Sequence, residues 1–380
     1  MSADTDHGDP DPSESELRSA LALSLVNGVG PRLQTTLLKY FGTPQQVLEQ
    51  PVAVLMQVHG VGKQVAERIA SPLTRTLADV TLQQARDLGV SVLMKGQAGY
   101  PAGLFRVDDS PLVLFCRGTL LPQDDLAVAI VGSRRCTAYG RRQAERLAGS
   151  LARAGFTIVS GLARGIDGAA HRAALAAGGR TIGVLASGVK EIYPPEHADL
   201  AMDVMKQGAL VSEFALETKP RPGLFPQRNR IISALSLGVI VVEANRSSGA
   251  LYTARHAMEQ GRDVFAVPGP VDSLASEGCH DLIRDGVTLI RHADDVLQEL
   301  APLTQPAVTA DSTIVHDARE LTLNPQEREI LNHISTSPVH VDQLIAATQL
   351  ELSRVLSTLT ILELKRFIRR LPGNMLVRNV

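Results

Sequence analysis

Residues 159–175 read VSGLARGIDGAAHRAAL, and the way this stretch parses decides the fold. The segment leading into it, AGFTIVS at 154–160, holds Phe156, Ile158 and Val159, a short, partly β-branched apolar run that predicts a buried strand. The strand ends at Ser160 and Gly161. Asp167 stands where a helix N-cap belongs, ahead of the short-chained, helix-compatible run GAAHRAAL. A strand, a glycine-bearing loop and a helix N-terminus in succession offer free amides and the positive end of a helix dipole, which suits an anion such as phosphate. Arg164 and Arg172 flank that mouth. The alternative is a tight strand-to-helix turn that binds nothing.

The same pattern repeats outward from this stretch. Strand-like runs recur at residues 127–131, 156–160, 181–186, 209–211, 239–243, 263–267 and 287–290, with helical patterns between most of them. Such alternation predicts an α/β fold, a parallel sheet with helices on both faces. Ligands of such sheets bind outside the carboxyl ends of the strands. Those ends carry Gly132-Ser133-Arg134, Ser160-Gly161, Ser187-Gly188, Ser212-Glu213, Glu243-Ala244-Asn245 and Pro268-Gly269, so six loops are expected to share one rim.

Neither GxxxxGK[ST] nor GxGxxG occurs at these strand ends, which excludes a P-loop and the dinucleotide fingerprint. The rim carries arginine instead. Arg134 and Arg135 follow the first strand, Arg141 and Arg142 lie on the next helix, and FPQRNR at 225–230 precedes another helix, with Asn229 as its N-cap or Gln227 and Arg228 as the turn into it. Arginine suits bidentate phosphate contacts, and Phe225 offers a surface for base stacking. Ser247-Ser248-Gly249-Ala250 form a further amide-rich mouth. Several anion sites along one rim suit a polyanion better than a single nucleotide. For Arg228 and Arg230 the competing assignment is a structural ion pair with Glu213 or Glu243.

The flanks read differently. Residues 1–16 carry six acids, two prolines and no Lys or Arg, the composition of a disordered tail. Residues 17–80 form a helical module in which Val26-Asn27-Gly28-Val29-Gly30 and Val58-His59-Gly60-Val61-Gly62 each lead into a helical pattern, 32 residues apart. These resemble helix-hairpin-helix units, whose hairpin amides either meet a DNA phosphate or serve only to pack the module. Strand-like runs at 90–94 and 112–116 lead into the sheet domain, residues 81–300. Residues 301–323 have no steady period and read as a linker. In residues 324–380, Asn324-Pro325-Gln326-Glu327 predicts a capped helix start, and three helical patterns followed by two short strands outline a winged helix. Its Arg354, Lys365, Arg366, Arg369, Arg370 and Arg378 suit DNA, and protein docking is the alternative.

The composition, 44% hydrophobic with a net charge of −2, is that of an ordinary globular protein, so any nucleic-acid site must be local. The three cysteines, Cys116, Cys136 and Cys279, form no CxxC pair and no disulfide framework. No apolar run is long enough to span a membrane and no signal pattern opens the chain, so a cytoplasmic location is expected. No cofactor or metal is expected.

The stretches VGSRRCTAYG, VSGLARGIDGAAHRAAL, GVKEIYPPEHADL, SEFALETKPRPGLFPQRNRIISALS, VVEANRSSGALYTARHAMEQGRDVFAVPG and GCHDLIRDG together resemble the DNA-processing protein A (DprA, Smf) family, covering residues 131–286 almost without a gap. The resemblance implies an extended Rossmann-like core that binds single-stranded DNA in a basic pocket. It also implies a homodimer that protects incoming single strands and helps load the RecA recombinase during natural transformation, with no enzymatic activity. Carried over by motif, Gly132, Ser133 and Arg134 belong to the phosphate pocket. Phe225, Arg228, Asn229 and Arg230 line the DNA path, with Arg164 and Arg221 beside it. Ser160, Gly161, Ser248 and Gly249 complete the rim. His197 and His280 stand where the family commonly has asparagine, Lys190 where an acid is common, and Ala250 where serine is usual.

A nucleotide phosphoribohydrolase-like enzyme on a related Rossmann fold is the alternative. Its PGGxGTxxE signature overlays residues 248–256 only loosely: aligned on Thr253, His256 falls where the catalytic glutamate belongs. Asp167 and His171, four apart on one helix, are open to two readings, an acid–base pair or an N-cap followed by a packed histidine.

Overall fold

The computed structural model describes residues 12–300, 307–309, 314–315, 317–348 and 350–379. The chain divides into two compact units, Met1–Val296 and Leu297–Val380.

The first unit is built on a nine-stranded sheet: β1 (Ser91–Met94), β2 (Val113–Gly118), β3 (Ala127–Val131), β4 (Thr157–Ser160), β5 (Thr181–Val184), β6 (Gly208–Ser212), β7 (Gly238–Val241), β8 (Asp263–Ala266) and β9 (Thr288–Leu289). Their order is β1-β2-β6-β5-β4-β3-β7-β8-β9. Strands β3 to β9 pair in parallel, while β1 with β2 and β2 with β6 are antiparallel. Strand β3, AVAIV, is buried along its whole length, as a parallel strand covered on both faces must be. From β3 the chain winds one way through β4, β5 and β6, then returns to β7 and winds the other way through β8 and β9. That reversal opens a crevice at the carboxyl ends of β3 and β7.

The runs expected only to lead into the sheet domain are strands of the sheet itself. Along β2, Val113 and Phe115 pack into the core that also holds Leu21, Leu37, Leu55 and Ile69 of the helical module, while Leu114 and Cys116 face the opposite core with Ala127, Ala129 and Val131. The alternation of a strand therefore gives its two faces to different layers. Each fully buried side chain such as Phe115 contributes about 1.5–3 kcal/mol to that joint.

Of the expected disordered tail, residues 1–11 lie outside the described residues. From Pro12 onward the chain is helical (Pro12–Leu25), because Glu14 and Arg18 pair with Arg86 and Asp79 of the helix Pro72–Asp87. The two G-V-G hairpins precede the helices Pro31–Phe41 and Lys63–Ala70 as expected. Gly28 and Gly60 sit at φ +96° and +89°, a conformation that favours glycine.

The second unit has helices Pro325–Asn332, Val341–Thr348 and Leu352–Leu364, with strands Ile368–Leu371 and Met375–Arg378 as a wing. A third strand, Val339–His340, which the sequence did not announce, pairs with Met375–Arg378. Asn324 caps its helix in a reciprocal box with Glu327, and Pro325 takes the first helical position. Of the expected linker, residues 301–306, 310–313 and 316 lie outside the described residues; Ala307–Val308 pairs with Ile314–Val315, and Ala318–Thr322 is a 3-10 turn. Acids of the same unit pair with three cations of the winged helix, one at the end of its third helix and two on the wing: Lys365 with Glu327 at 2.8 Å, Arg370 with Glu363 at 3.0 Å and Arg378 with buried Glu320 at 2.5 Å.

Candidate nucleic-acid interface

A cleft of 690 Å³ opens at the β3–β7 crevice. Loops after β3, β4, β5, β6 and β7 line it, together with the helix Leu224–Ala234. The loop after β8 and the Ser187-Gly188 start of the loop after β5 do not reach it, although Tyr193 further along the β5 loop does. Ser187 Oγ instead donates to Glu191 O at 2.6 Å, and Pro268 O accepts from Tyr139 Oη at 2.6 Å. The rim of six loops is therefore narrower than the strand ends suggested.

The helix N-terminus after β4 that the sequence offered to an anion, and a second one after β3, are filled by the protein's own carboxylates. The helix Ile166–Ala176 is capped by Gly165, not by Asp167. Gly165 has φ +74°, and a Cβ there would lie 2.2 Å from Ser133 O, so only glycine fits. Asp167 sits inside the first turn, buried, and its Oδ2 accepts from Gly161 N (3.1 Å) and Ala163 N (3.4 Å). Burial pushes its carboxyl up, opposed by the Arg228 charge and those amides. At the helix Ala138–Arg153, buried Glu243 accepts from Thr137 N (2.9 Å) and Thr137 Oγ1 (2.6 Å). The mouth at 247–250 is also largely satisfied: Asn245 Oδ1 accepts from Ser247 N at 3.1 Å, and Ser248 Oγ accepts from Ala250 N at 3.3 Å.

Charge in the cleft therefore comes from side chains. Arg134 and Arg135 are exposed on the loop after β3, and Arg221 is exposed on the facing loop. Among the described residues, none of the three pairs with a carboxylate. The Arg134 guanidinium lies over the Phe225 ring at 4.4 Å, and Tyr193 meets the same ring edge-on at 5.9 Å. An aromatic surface with a cation above it thus stands in the cleft.

The FPQRNR segment lies inside the helix Leu224–Ala234, so Asn229 is not its N-cap; Gly223 takes that position. Pro226 fits there because first-turn amides need no helical partner. The three polar residues staple the cleft together. Buried Arg228 donates to Gly161 O at 2.6 Å and to Val184 O, tying β4 and β5, and burial lowers its pKa. A Cβ at Gly161 would fall 2.4 Å from that guanidinium, so glycine admits it. Asn229 Nδ2 donates to Gly249 O at 3.2 Å. Arg230 pairs with Glu213 and donates to Asp109 O, both side chains of the pair being 7% exposed. Glu213 is thus the partner of Arg230, while Glu243 belongs to Thr137.

Of the sequence candidates, the structure brings Gly132, Ser133, Arg134, Arg221, Phe225, Arg228, Asn229, Ser248 and Gly249 to the cleft. Ser160 is buried, donating to Ile130 O at 2.6 Å. Gly161 lies beneath Arg228 in a small adjoining recess. Exposed Arg164 pairs with Glu196, and Arg230 is behind the cleft. Tyr193, Tyr252 and Thr253 line the cleft without having been singled out for it; nothing local in the sequence marks them.

Asp167 and His171 do not form an acid–base pair. His171 Nδ1 donates to Thr181 Oγ1 at 2.7 Å, since that hydroxyl itself donates to Ile158 O. Burial lowers the His171 pKa to about 3, keeping it neutral, while Asp167 turns to its own loop. His256 faces Glu259 at 3.4 Å on its own helix rather than the cleft. The histidines that depart from the family pattern are accommodated: His197 Nδ1 donates to Leu162 O at 2.9 Å and His280 Nε2 to Gly269 O at 3.1 Å. Among the described residues no His/Cys/Asp/Glu group could hold a metal, and no helix is long and apolar enough to cross a membrane.

Residues 91–301 match the DNA recombination-mediator protein A family, residues 316–374 the DprA winged helix domain, and residues 20–73 the SAM-like helix-hairpin-helix tandem. The chain belongs to the DNA recombination-mediator protein A family. Another member, Protein Smf of Escherichia coli (strain K12), is 39% identical over 324 residues, 84% of this chain and 86% of that one. DNA processing protein DprA of Bacillus subtilis (strain 168) is 45% identical over 216 residues, 57% of this chain and 73% of that one. Among solved family structures, the X-ray structure of DprA from Streptococcus pneumoniae aligns with a TM-score of 0.59 at 33% identity, covering 74% of this chain and 95% of that one. A structure of DNA processing protein A from Helicobacter pylori, solved for its single-stranded DNA binding mode, aligns with a TM-score of 0.51 at 31% identity, covering 56% of this chain and 95% of that one.

Proposed function

We propose that this family member binds single-stranded DNA along the β3–β7 cleft and acts there as a recombination mediator in natural transformation. The observation that carries this is the cleft itself: among the described residues, three exposed arginines without carboxylate partners line it at a topological switch point, and one of them, Arg134, lies over the Phe225 ring. Arg134, Arg135 and Arg221 take backbone phosphates, assisted by Ser133 and the Ser247–Ser248 hydroxyls. Phe225 stacks on one base. Gly249 lets the strand approach its loop, while Gly132 lets the loop after β3 pack against Ile166, 2.6 Å from where a Cβ would lie. Arg228, Asn229 and Arg230 hold the walls in place, and Ser160 and Gly161 support Arg228 from below. Arg164, held by Glu196, stands at the outer rim. Phosphates carry no base information, so sequence preference is weak.

The role is non-catalytic and cytoplasmic. A homodimer doubles the phosphate track and raises affinity through linked sites. The bound strand is handed to the RecA recombinase. The test is a salt titration of binding to a single strand with duplex as competitor. Single-strand preference, with log affinity falling by about 0.7 per phosphate contact as log salt rises, supports the assignment. No single-strand binding at low salt refutes it.

A further inference from the structure

A second cavity, of 250 Å³, lies in the first unit where the helix Pro31–Phe41 faces β1 and the loop before β2. Gln34, Leu38, Lys39, Lys95, Ser110 and Leu112 line it. Gln34 is only 6% exposed. Its Nε2 donates to Val29 O at 3.1 Å, which fixes the end of the amide that carries oxygen. The Oε1 is buried with no hydrogen-bond partner, and Ser110 Oγ, also buried, has only the Tyr100 hydroxyl beside it. Folded chains seldom leave buried acceptors unmet, because each costs its full desolvation.

Beside these atoms stand two ammonium groups. Lys39 is exposed and Lys95 half-buried, and among the described residues neither forms an ion pair. Lys95 Nζ lies 5.7 Å from the Phe105 ring centroid. Burial lowers the Lys95 pKa, with Asp108 and Asp109 acting the other way, and Asp109 already lies 3.8 Å from Arg230. Leu38 and Leu112 supply apolar walls. The cavity asks for an occupant that is anionic at one end, apolar in its flank, and able to donate an N–H. Its volume falls below the roughly 300–1,000 Å³ of ordinary ligand pockets, which suits one unit rather than a stretch of chain.

We propose that this cavity binds a single nucleotide unit, its phosphate between Lys39 and Lys95 and a base N–H on Gln34 Oε1. The choice of a nucleotide over other anions rests on the single-strand assignment of the cleft. The unit comes either from a free mononucleotide or from a strand already bound at the cleft; the chemistry is the same.

The test is calorimetric titration of the full chain with dTMP, with thymidine and inorganic phosphate as controls, alongside binding of an oligo(dT) strand. Lys39→Ala, at an exposed position that keeps the fold, and Lys95→Ala are each expected to weaken dTMP about tenfold, while Lys206→Ala, at an exposed position outside both the cavity and the cleft, leaves dTMP unchanged. If the bound strand is the source, the two lysine variants also weaken oligo(dT) about tenfold; if a free nucleotide is, oligo(dT) is untouched. Either pattern supports the site. The proposal is overturned if inorganic phosphate binds as tightly as dTMP, if dTMP binding is unmoved by both lysine variants, or if dTMP fails to bind. An Arg134→Ala chain with unchanged oligo(dT) affinity refutes the cleft assignment instead and leaves the dTMP result standing.

Discussion

Arg230→Ala separates an arginine that meets DNA from one that holds the site together. Arg230 and Glu213 are each 7% exposed in the side chain, and Arg230 also donates to Asp109 O. Removing one partner of a buried pair leaves the other uncompensated, at about 3–5 kcal/mol. At about 2–4 °C per kcal/mol for a unit of this size, melting should fall by about 6–20 °C. Replacing both, Arg230→Met with Glu213→Leu, leaves no buried charge and should recover most of the loss. Below its melting point, the single variant should keep the wild-type slope of log affinity against log salt, because no phosphate contact is lost. Thermal melts and fluorescence anisotropy with a labelled single strand check both. A variant that melts like the wild type while its slope is shallower by about 0.7 would mean that Arg230 reaches phosphate.

The exposed counterpart should behave in the opposite way: Arg134→Ala should leave melting unchanged and make the salt slope shallower by about 0.7. Phe225→Ala should weaken single-strand binding by about 1–3 kcal/mol at an unchanged salt slope, because stacking carries no counterion cost; a changed slope would count against stacking. His171, held at a pKa of about 3 in the folded chain against about 6.5 unfolded, contributes stability that is fully present above the unfolded value. That stability is lost as pH falls below 6.5, by about 1.4 kcal/mol per unit until the folded value is reached. Melting between pH 7 and pH 5 should therefore drop less in His171→Asn than in the parent, and equal drops would refute a buried neutral histidine.

The strands and the winged helix were legible because their signals are local. Phe156, Ile158 and Val159 announce β4 in one run, and Asn324, Pro325 and Glu327 announce a helix start within four residues. Gly161 and Gly165 were legible as glycines but not for their reason, since the atoms that exclude a Cβ belong to Arg228 and Ser133.

Residue order alone sets the alternation of strand and helix, the crowding of small and charged residues at strand ends, and the family. Which of those charges remain free is set by the packed fold. Asp167 closes the mouth that looked ready for phosphate, Glu243 occupies the helix N-terminus at Thr137, Glu213 withdraws Arg230, and Arg134, Arg135 and Arg221 are left facing the cleft. Periodicity comes from neighbours a few residues apart, whereas a charge is cancelled by whatever the fold brings beside it. Thr137 and Glu243 are 106 residues apart in the chain, and no local pattern records their meeting.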